Sequence, residues 1–358
     1  MKPAEKVKEV ERQVAQALGH RLSLVSLIQT VTIETEDDLL RGSDIIAHVV
    51  VRGTPMKLVC EVKEPGFPKQ IRAAIAQLRA HPLMARPDTV ALIGASWLSP
   101  EARALCSDAG VGWIDLAGNC RIAFDGIYIE RETAERPKPA ARSFRSIFSP
   151  KSGQVLRVLL QDPSRPWKVT DLADASGVSL GQVSNVRSAL IDREWATADE
   201  AGLRLKNTDA LLDAWRDEYE PIRGERSSWY TVLHGRELER ALRNLLVHGQ
   251  VGGRAMLAGL SAANWLAPYM RGVSTTSIYA DREAMPQLVD ALKLKPISSG
   301  ANVEIIVPDD PAILMERIQL PDAPPVAPPV LTYLDLSLLN DRGREAADHL
   351  REKLLKWR

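Results

Sequence analysis

Residues 58–66, LVCEVKEPG, place a carboxylate and an ammonium group inside an otherwise apolar run. Glu61 and Lys63 are two positions apart, and side chains at i and i+2 of a β-strand project from the same face of the strand. Val59 and Val62 indicate that this strand is buried on at least one face. The two charges therefore point to the same place. They form either a chemical site or a surface ion pair, which would contribute little to stability.

A third charged side chain is expected beside them. The runs SDIIAHVVV (43–51) and MKLVCEV (56–62) are separated by a turn and predict a hairpin, which brings Asp44 next to Glu61 and Lys63. Two carboxylates are enough to hold Mg²⁺, which keeps several of its waters. A bound metal lowers the pKa of a water ligand, and a nearby lysine can stabilise developing charge. Asp44 and Glu61 are thus the candidate metal ligands.

This pattern, SD at 43–44 and EVK at 61–63, resembles the PD-(D/E)XK nuclease superfamily, although the proline of the name is missing. The resemblance covers about residues 1–131 and implies a restriction-endonuclease-like mixed sheet. It implies Mg²⁺ as cofactor and DNA as substrate, and some proteins with this fold only bind DNA. The following candidates come from the motif, the next helix and the first helix: catalytic Asp44, Glu61, Lys63 and Gln77, with Gln70 and Glu11 as further polar ligands.

The pattern of elements agrees with an α/β domain in this region. Helical periodicity covers residues 4–19, and strand-like runs alternate with helices that begin near Pro68 and Ser99. Strands followed by crossover helices predict a mixed sheet that ends near residue 131.

A basic linker is predicted at residues 132–150. Eight basic residues between Arg136 and Lys168 face one acid, Asp162, although the whole chain has 46 basic and 46 acidic residues. Positive charge gathered in one place favours sequence-independent contacts to phosphates, and a solvated flexible linker is the alternative.

Residues 151–207 are predicted to form three helices and a hairpin. The run VTDLADASGVSLGQVSNVRSALIDREW (169–195), with Thr170 as an N-cap and a Ser179–Gln182 capping box, resembles winged helix-turn-helix domains. The resemblance implies a recognition helix at 179–193 in the major groove of duplex DNA. Such units also serve as protein-interaction modules. The DNA-binding candidates in the linker, recognition helix and wing are Arg142, Arg145, Lys151, Lys168, Ser179, Gln182, Ser184, Asn185, Arg187, Ser188, Arg204 and Lys206.

Residues 208–358 are predicted to form a C-terminal α/β domain in which LTYLDLSLL (331–339) is a strand. The turn in GLSAANWLAPYM is faintly similar to that of nucleotidyltransferase folds. Only a lone Asp281 follows it, and Asp335 is far along the chain, so this domain is interpreted as a degenerate, non-catalytic scaffold.

Three further runs, LAGLSAANWLAP (257–268), NVEIIVP (302–308) and LTYLDLSLLNDRGREAADHL (331–350), resemble the AbiEi-like proteins when taken with the preceding helices. These are transcriptional regulators or antitoxins of type IV toxin-antitoxin systems. The resemblance covers roughly residues 145–358 and implies DNA binding and a toxin-like protein partner. A nuclease-like domain on the N-terminal side of this segment departs from the domain composition of short antitoxins.

Composition sets the remaining limits. The three cysteines have no metal or disulfide spacing, and no apolar run reaches the ~18 residues of a membrane span. A cytoplasmic protein without membrane attachment is expected, and homodimer formation stays open. The leading hypothesis is a DNA-binding protein of regulatory or defence type. The alternatives are a Mg²⁺-dependent endonuclease and a module that binds a toxin-like partner.

Overall fold

The computed structural model describes residues 3–35, 43–133, 147–249, 251, 253–269 and 275–357. Backbone contacts group the described residues into two compact units. The first contains the residues up to 133 together with 187–197, and the second contains 147–186 and the residues from 198 onward. The domain boundaries inferred from the sequence remain predictions.

The first unit is built on a seven-stranded mixed sheet whose strands follow chain order. Strands β1 to β3 are antiparallel neighbours, β4 runs parallel to both β3 and β5, and β5 to β7 are again antiparallel. The strands are β1 (Ile28–Thr35), β2 (Ile45–Val51), β3 (Thr54–Val62), β4 (Thr89–Ala95), β5 (Gly112–Asp115), β6 (Cys120–Phe124) and β7 (Ile127–Arg131). The predicted α/β character with a mixed sheet is confirmed.

Helices cover both faces of this sheet. Val14 and Leu18 of α1 (Pro3–Ser23) share one core with Cys60 of β3. Helices α2 (Pro68–Ala80) and α3 (Pro100–Asp108) share a second core with Val59. Because side chains alternate along a strand, Glu61 lies on the same side as Val59, toward α2. This parity decides which helix can reach the charged site.

Residues 187–197 belong to the first unit through specific contacts. Arg72 Nε donates to Glu194 Oε1 at 2.8 Å, and the Arg193 guanidinium lies 3.9 Å from the centre of the Phe67 ring.

The three helices and the hairpin predicted for residues 151–207 are present. They are α4 (Pro150–Gln161), α5 (Val169–Ser176), α6 (Leu180–Asp192), β8 (Ala196–Asp199) and β9 (Gly202–Leu205). Gly177 ends α5 in the left-handed conformation, with φ at 66°, which glycine adopts at no steric cost.

The predicted capping interactions are only half correct. The N–H of Gln182 donates to Ser179 Oγ at 3.3 Å, as a capping box requires, but the Gln182 side chain donates to Ser152 Oγ instead of returning to the cap. The N-cap predicted at Thr170 is wrong, because Lys168 holds the N-cap position of α5 and the Thr170 hydroxyl bonds Asp171.

The rest of the second unit surrounds a five-stranded sheet with the order β11-β12-β14-β10-β13. Strands β12 and β14 are parallel, and the other neighbours are antiparallel. The strands are β10 (Gly224–Tyr230), β11 (Ala255–Ala258), β12 (Thr276–Ala280), β13 (Lys295–Pro296) and β14 (Val303–Pro308). The helices are α7 (Thr208–Glu218), α8 (Gly235–Arg243), α9 (Gly259–Leu266), α10 (Met285–Ala291), α11 (Pro329–Ser337) and α12 (Asp341–Leu354).

The strand predicted at residues 331–339 is wrong, because residues 331–337 lie in helix α11. Its residues from Val330 to Leu334 are all buried, so an apolar run here reflects a helix surrounded by protein. A short apolar run alone does not distinguish a buried strand from a buried helix. Pro329 at the start of the run suits a first helical turn.

Two sequence expectations about the environment can be compared with the fold. Cys60, Cys106 and Cys120, whose spacing suggested no disulfide, are buried with free thiols. No helix in the described part of the chain is long and apolar enough to span a bilayer.

Candidate functional site

Three charged side chains meet at the junction of β2 and β3. Ile45 pairs with Cys60 across the hairpin, which places Asp44 opposite Glu61. Asp44 Oδ2 accepts a hydrogen bond from the backbone N–H of Val62 at 2.6 Å, and Lys63 Nζ donates to Glu61 Oε1 at 2.5 Å. The structure thus brings together the carboxylates and the lysine that the sequence singled out.

The charged groups at this site are unequally buried. The Glu61 side chain is 3% exposed, and that of Lys63 is 26% exposed. Burial raises the pKa of the Glu61 carboxyl, the neighbouring Asp44 charge raises it further, and the hydrogen bond from Lys63 lowers it. The ammonium group therefore provides the main compensation for a carboxylate that is shielded from water.

Helix α2 contributes to the same site. The Gln77 side chain hydrogen-bonds Glu61 and also lowers its pKa, while Gln70 Oε1 is buried without a partner among the described residues. Glu11 is buried on α1. The Gln77 contact follows from the strand parity that directs Glu61 toward α2.

A metal at this site would rely on few protein ligands. Among the described residues, no group of three or more histidine, cysteine, aspartate or glutamate side chains is arranged to hold a metal ion. Asp44 and Glu61 offer two hard carboxylate donors, and Mg²⁺ commonly takes one or two carboxylates and keeps its waters. The donor chemistry therefore fits Mg²⁺.

The predicted DNA-contacting residues fall into several groups. Ser179, Ser184, Asn185 and Ser188 are exposed, and Arg187 is half-buried. Lys168, Arg204 and Lys206 are exposed, and none of them forms an ion pair within the described ranges. Arg204 and Lys206 alternate with the buried Leu203 and Leu205, so both cations point outward from β9.

The other predicted DNA-contacting residues either bond to protein groups or lie outside the described part of the chain. The Gln182 amide donates to Ser152 Oγ at 2.8 Å, and Lys151 Nζ donates to Asp310 Oδ2 at 2.9 Å. Arg142 and Arg145 lie outside the described residues. Among the predicted DNA-contacting cations, Lys168, Arg204 and Lys206 are thus both exposed and outside ion pairs in the described part of the chain.

The sequence did not predict one feature of the second unit, a carboxyl group that accepts hydrogen bonds from two tyrosines. Tyr219 donates its hydroxyl hydrogen to Asp335 Oδ1 at 2.7 Å, and Tyr279 donates to Oδ2 at 2.9 Å. Burial raises the pKa of Asp335 to about 6, although the two tyrosine hydrogen bonds oppose this shift. The one available signal was a carboxylate inside the apolar run LTYLDLSLL.

The Asp335→Asn variant is expected to gain stability relative to the wild type as pH rises from 4 to 7.5. Below the unfolded-state pKa near 4, both states of the wild type hold the proton. Between pH 4 and about 6 only the folded state keeps the proton on Asp335. Raising the pH through this range therefore lowers the free energy of unfolding of the wild type by up to roughly 3 kcal/mol. Urea unfolding at both pH values measures this difference. Asp341→Asn, at a 98% exposed carboxylate, is the control and should show no such trend. The same behaviour in both variants would contradict the prediction.

One comparison with known proteins finds a match. Residues 204–356, less than half of the chain, match the family model described as "Transcriptional regulator, AbiEi antitoxin, Type IV TA system". No curated protein and no solved structure matches the chain. This C-terminal segment is therefore similar to that family of regulators and antitoxins, as the runs at 257–268, 302–308 and 331–350 indicated.

Proposed function

We propose that this chain is a DNA-binding transcriptional regulator of the antitoxin type, which docks on duplex DNA through a winged helix-turn-helix at residues 151–207. The observation that carries the proposal is the order along the chain of three features: two helices, a hairpin and a segment with family similarity. Two helices joined at Gly177 and a hairpin lead into a segment, residues 204–356, that is similar to transcriptional regulators, and the second strand of the hairpin overlaps its start.

The surface chemistry of this region supports DNA as the partner. Ser184 and Asn185 are exposed on α6, and hydroxyl and amide side chains suit contacts to base edges and phosphates. Lys168, Arg204 and Lys206 add exposed positive charge without an ion-pair partner in the described part of the chain. In a chain with no net charge, such local charge is what can attract a phosphate backbone.

A salt-dependent binding assay tests the proposal. Fluorescence anisotropy of a labelled 30-base-pair duplex from the region upstream of the protein's own coding sequence should increase with protein at 50 mM salt. The affinity should fall steeply by 200 mM, because phosphate contacts release counterions. A folded protein that binds neither this duplex nor an unrelated one at 50 mM salt would overturn the proposal.

A protein partner is part of the same proposal. The similarity of residues 204–356 to antitoxins supports a toxin-like partner for this segment. Co-expression with the product of the adjacent reading frame, followed by purification after nuclease treatment, tests it. A complex that forms without nucleic acid supports direct protein contact. If neither the complex nor DNA binding is found, the regulator assignment fails as a whole.

A second function, Mg²⁺-dependent DNA cleavage, is favoured by one specific observation. Asp44, Glu61 and Lys63 converge, although two of them come from a strand that is otherwise apolar. This supports a nuclease site of the PD-(D/E)XK type, in which Asp44 and Glu61 would hold the ion. Bound Mg²⁺ would lower the pKa of a water and offset phosphate charge.

The chain's own groups would prepare this site. Burial around Glu61 lowers the local dielectric constant and so strengthens each charge interaction there. The Val62 N–H orients Asp44 by a 2.6 Å hydrogen bond, and Gln77 restrains Glu61. Lys63, partly exposed, is the cation available to stabilise negative charge that develops on an attacked phosphate.

Cleavage of supercoiled plasmid in the presence of Mg²⁺ is expected to fall at least a hundredfold in Asp44→Asn and in Lys63→Met, since each removes a group from the charged centre. Lys57→Met, on the same strand but away from the site, is the matched control and should retain the wild-type rate. Cleavage that survives both site variants would assign the activity to another source. No cleavage by the wild type with Mg²⁺ or Mn²⁺ would leave a binding role only.

A further inference from the structure

A cavity of about 820 Å³ lies within the second unit, between α4, the end of α5 and the C-terminal part of the chain. Its size falls within the range of small-molecule sites, which are mostly apolar with a few polar groups. The apolar part of its wall includes Val158, Leu160, Trp167, Ile318, Pro328 and Val330.

The charged residues that border this cavity balance one another. Arg157 is bonded bidentately to Glu316, with Nε to Oε2 at 2.5 Å and Nη2 to Oε1 at 2.8 Å. Arg317 donates to the Leu314 carbonyl, and Asp174 is exposed. Two cations and two carboxylates leave no excess charge. The lining therefore favours an uncharged ligand.

Two side chains of the lining retain unused hydrogen-bonding capacity. Gln154 is 6% exposed and Trp167 is 7% exposed. The Gln154 Oε1 acceptor and the Trp167 Nε1 donor have no partner among the described residues. Buried polar groups are normally paired, and leaving one unpaired is unfavourable. Both atoms are closed off from water, so a hydroxyl or amide group of a ligand pairs with one of them when the Gln154 amide or the Trp167 ring turns toward the cavity.

The exposed border of the cavity contains two apolar side chains beside the polar Gln161 and Asp174. Met315 is 75% exposed and Leu354 is 40% exposed, and both border the cavity. Exposed apolar side chains at the edge of a concave, apolar space are typical of a ligand site rather than of a solvated surface.

We propose that this cavity binds a small, uncharged, largely apolar molecule that carries a hydroxyl or amide group, and that its occupancy changes the affinity for DNA. The second part of this proposal, the effect of occupancy on the affinity for DNA, rests on the proposed function. Its basis is the position of Asp174 and Gly177, which border the cavity at the end of α5 and at the turn into α6. A ligand that fits one arrangement of this turn better than another shifts the population toward it.

The first test measures binding alone, with 2-naphthol as the probe. Isothermal titration calorimetry of the full chain should show saturable, one-to-one binding, with half-saturation below about 1 mM for a probe of this size. The anionic analogue 2-naphthalenesulfonate should bind at least tenfold more weakly. Equal affinity for the two probes, or no saturable binding of 2-naphthol, would overturn the proposal.

A variant that fills the space locates the site. Ala312 is exposed and borders the cavity, so Ala312→Trp should fill part of it without disturbing the core and weaken 2-naphthol binding at least tenfold. Ala104→Trp, at an exposed position on α3, is the matched control and should bind as the wild type does. Equal binding by all three proteins, each shown to be folded by circular dichroism, would place the probe elsewhere and contradict the assignment.

The second test measures coupling. The DNA anisotropy titration, repeated with saturating 2-naphthol, should show at least a threefold change in affinity in the wild type and none in Ala312→Trp. An unchanged affinity in the wild type would overturn the regulatory half. A chain that binds 2-naphthol but no DNA in either condition would contradict the proposed function and leave the ligand site supported.

Discussion

Replacing Lys168, Arg204 and Lys206 together with glutamine is expected to weaken binding to duplex DNA on the order of a thousandfold at 0.1 M salt. Each phosphate contact releases counterions and contributes a factor of roughly ten at this salt concentration. All three side chains are exposed and none is in an ion pair among the described residues, so their loss should cost little stability. The slope of log K against log salt should become shallower by about 3.

A control with the same change in net charge separates local contact from general attraction. Arg342, Arg344 and Lys353 are exposed on α12, and their replacement with glutamine also removes three positive charges. That variant should lose only a few-fold in affinity and keep the wild-type salt slope. Equal losses of affinity in both triple variants would mean that net charge, and not contacts made by Lys168, Arg204 and Lys206, determines binding.

The charged site could be derived from the sequence because it depends on local rules. Parity along β3 puts Glu61 and Lys63 on one face, and a short hairpin turn puts Asp44 beside them. The observed register, with Ile45 opposite Cys60, is what that reasoning requires. Neither step needs knowledge of residues distant in the chain.

The errors occur where a distant partner decides the outcome. Helix α11 is an apolar run of strand length, and its burial among other helices, which the sequence does not encode locally, makes it helical. Strand β10, GERSSWY, was not predicted because its polar composition lacks the usual strand pattern, and its pairing with β14 stabilises it.

The sequence also does not predict which side chains bond to each other when they are far apart in the chain. Gln182 bonds Ser152, thirty residues away, in place of the local cap that the motif suggested. Lys151 and Arg157, counted among the basic residues near the linker, have carboxylate partners beyond residue 300. A cluster of basic residues in sequence is therefore not a cluster of free charges in space. Arg157 is the clearest case, because it is almost fully buried.

Arg157→Met is expected to destabilise the second unit by about 3–5 kcal/mol. The Arg157 side chain is 6% exposed and that of Glu316 is 14% exposed. Removing the guanidinium leaves a buried carboxylate without its bidentate partner, and breaking a buried pair in this way has costs of that size. The free energy of local opening can be measured by hydrogen exchange of the α4 amides in the wild type and the variant.

The double variant Arg157→Met with Glu316→Leu distinguishes charge burial from lost packing. With both charges removed, no carboxylate has to be desolvated alone, and apolar pairs of similar volume often match or exceed the stability of the ion pair. The double variant should recover most of the stability that Arg157→Met loses. If the two losses add instead, the two side chains contribute independently, and the pair is not the stabilising unit. The outcome also bears on the neighbouring cavity, because this ion pair forms part of its wall and keeps both charges from attracting a charged ligand.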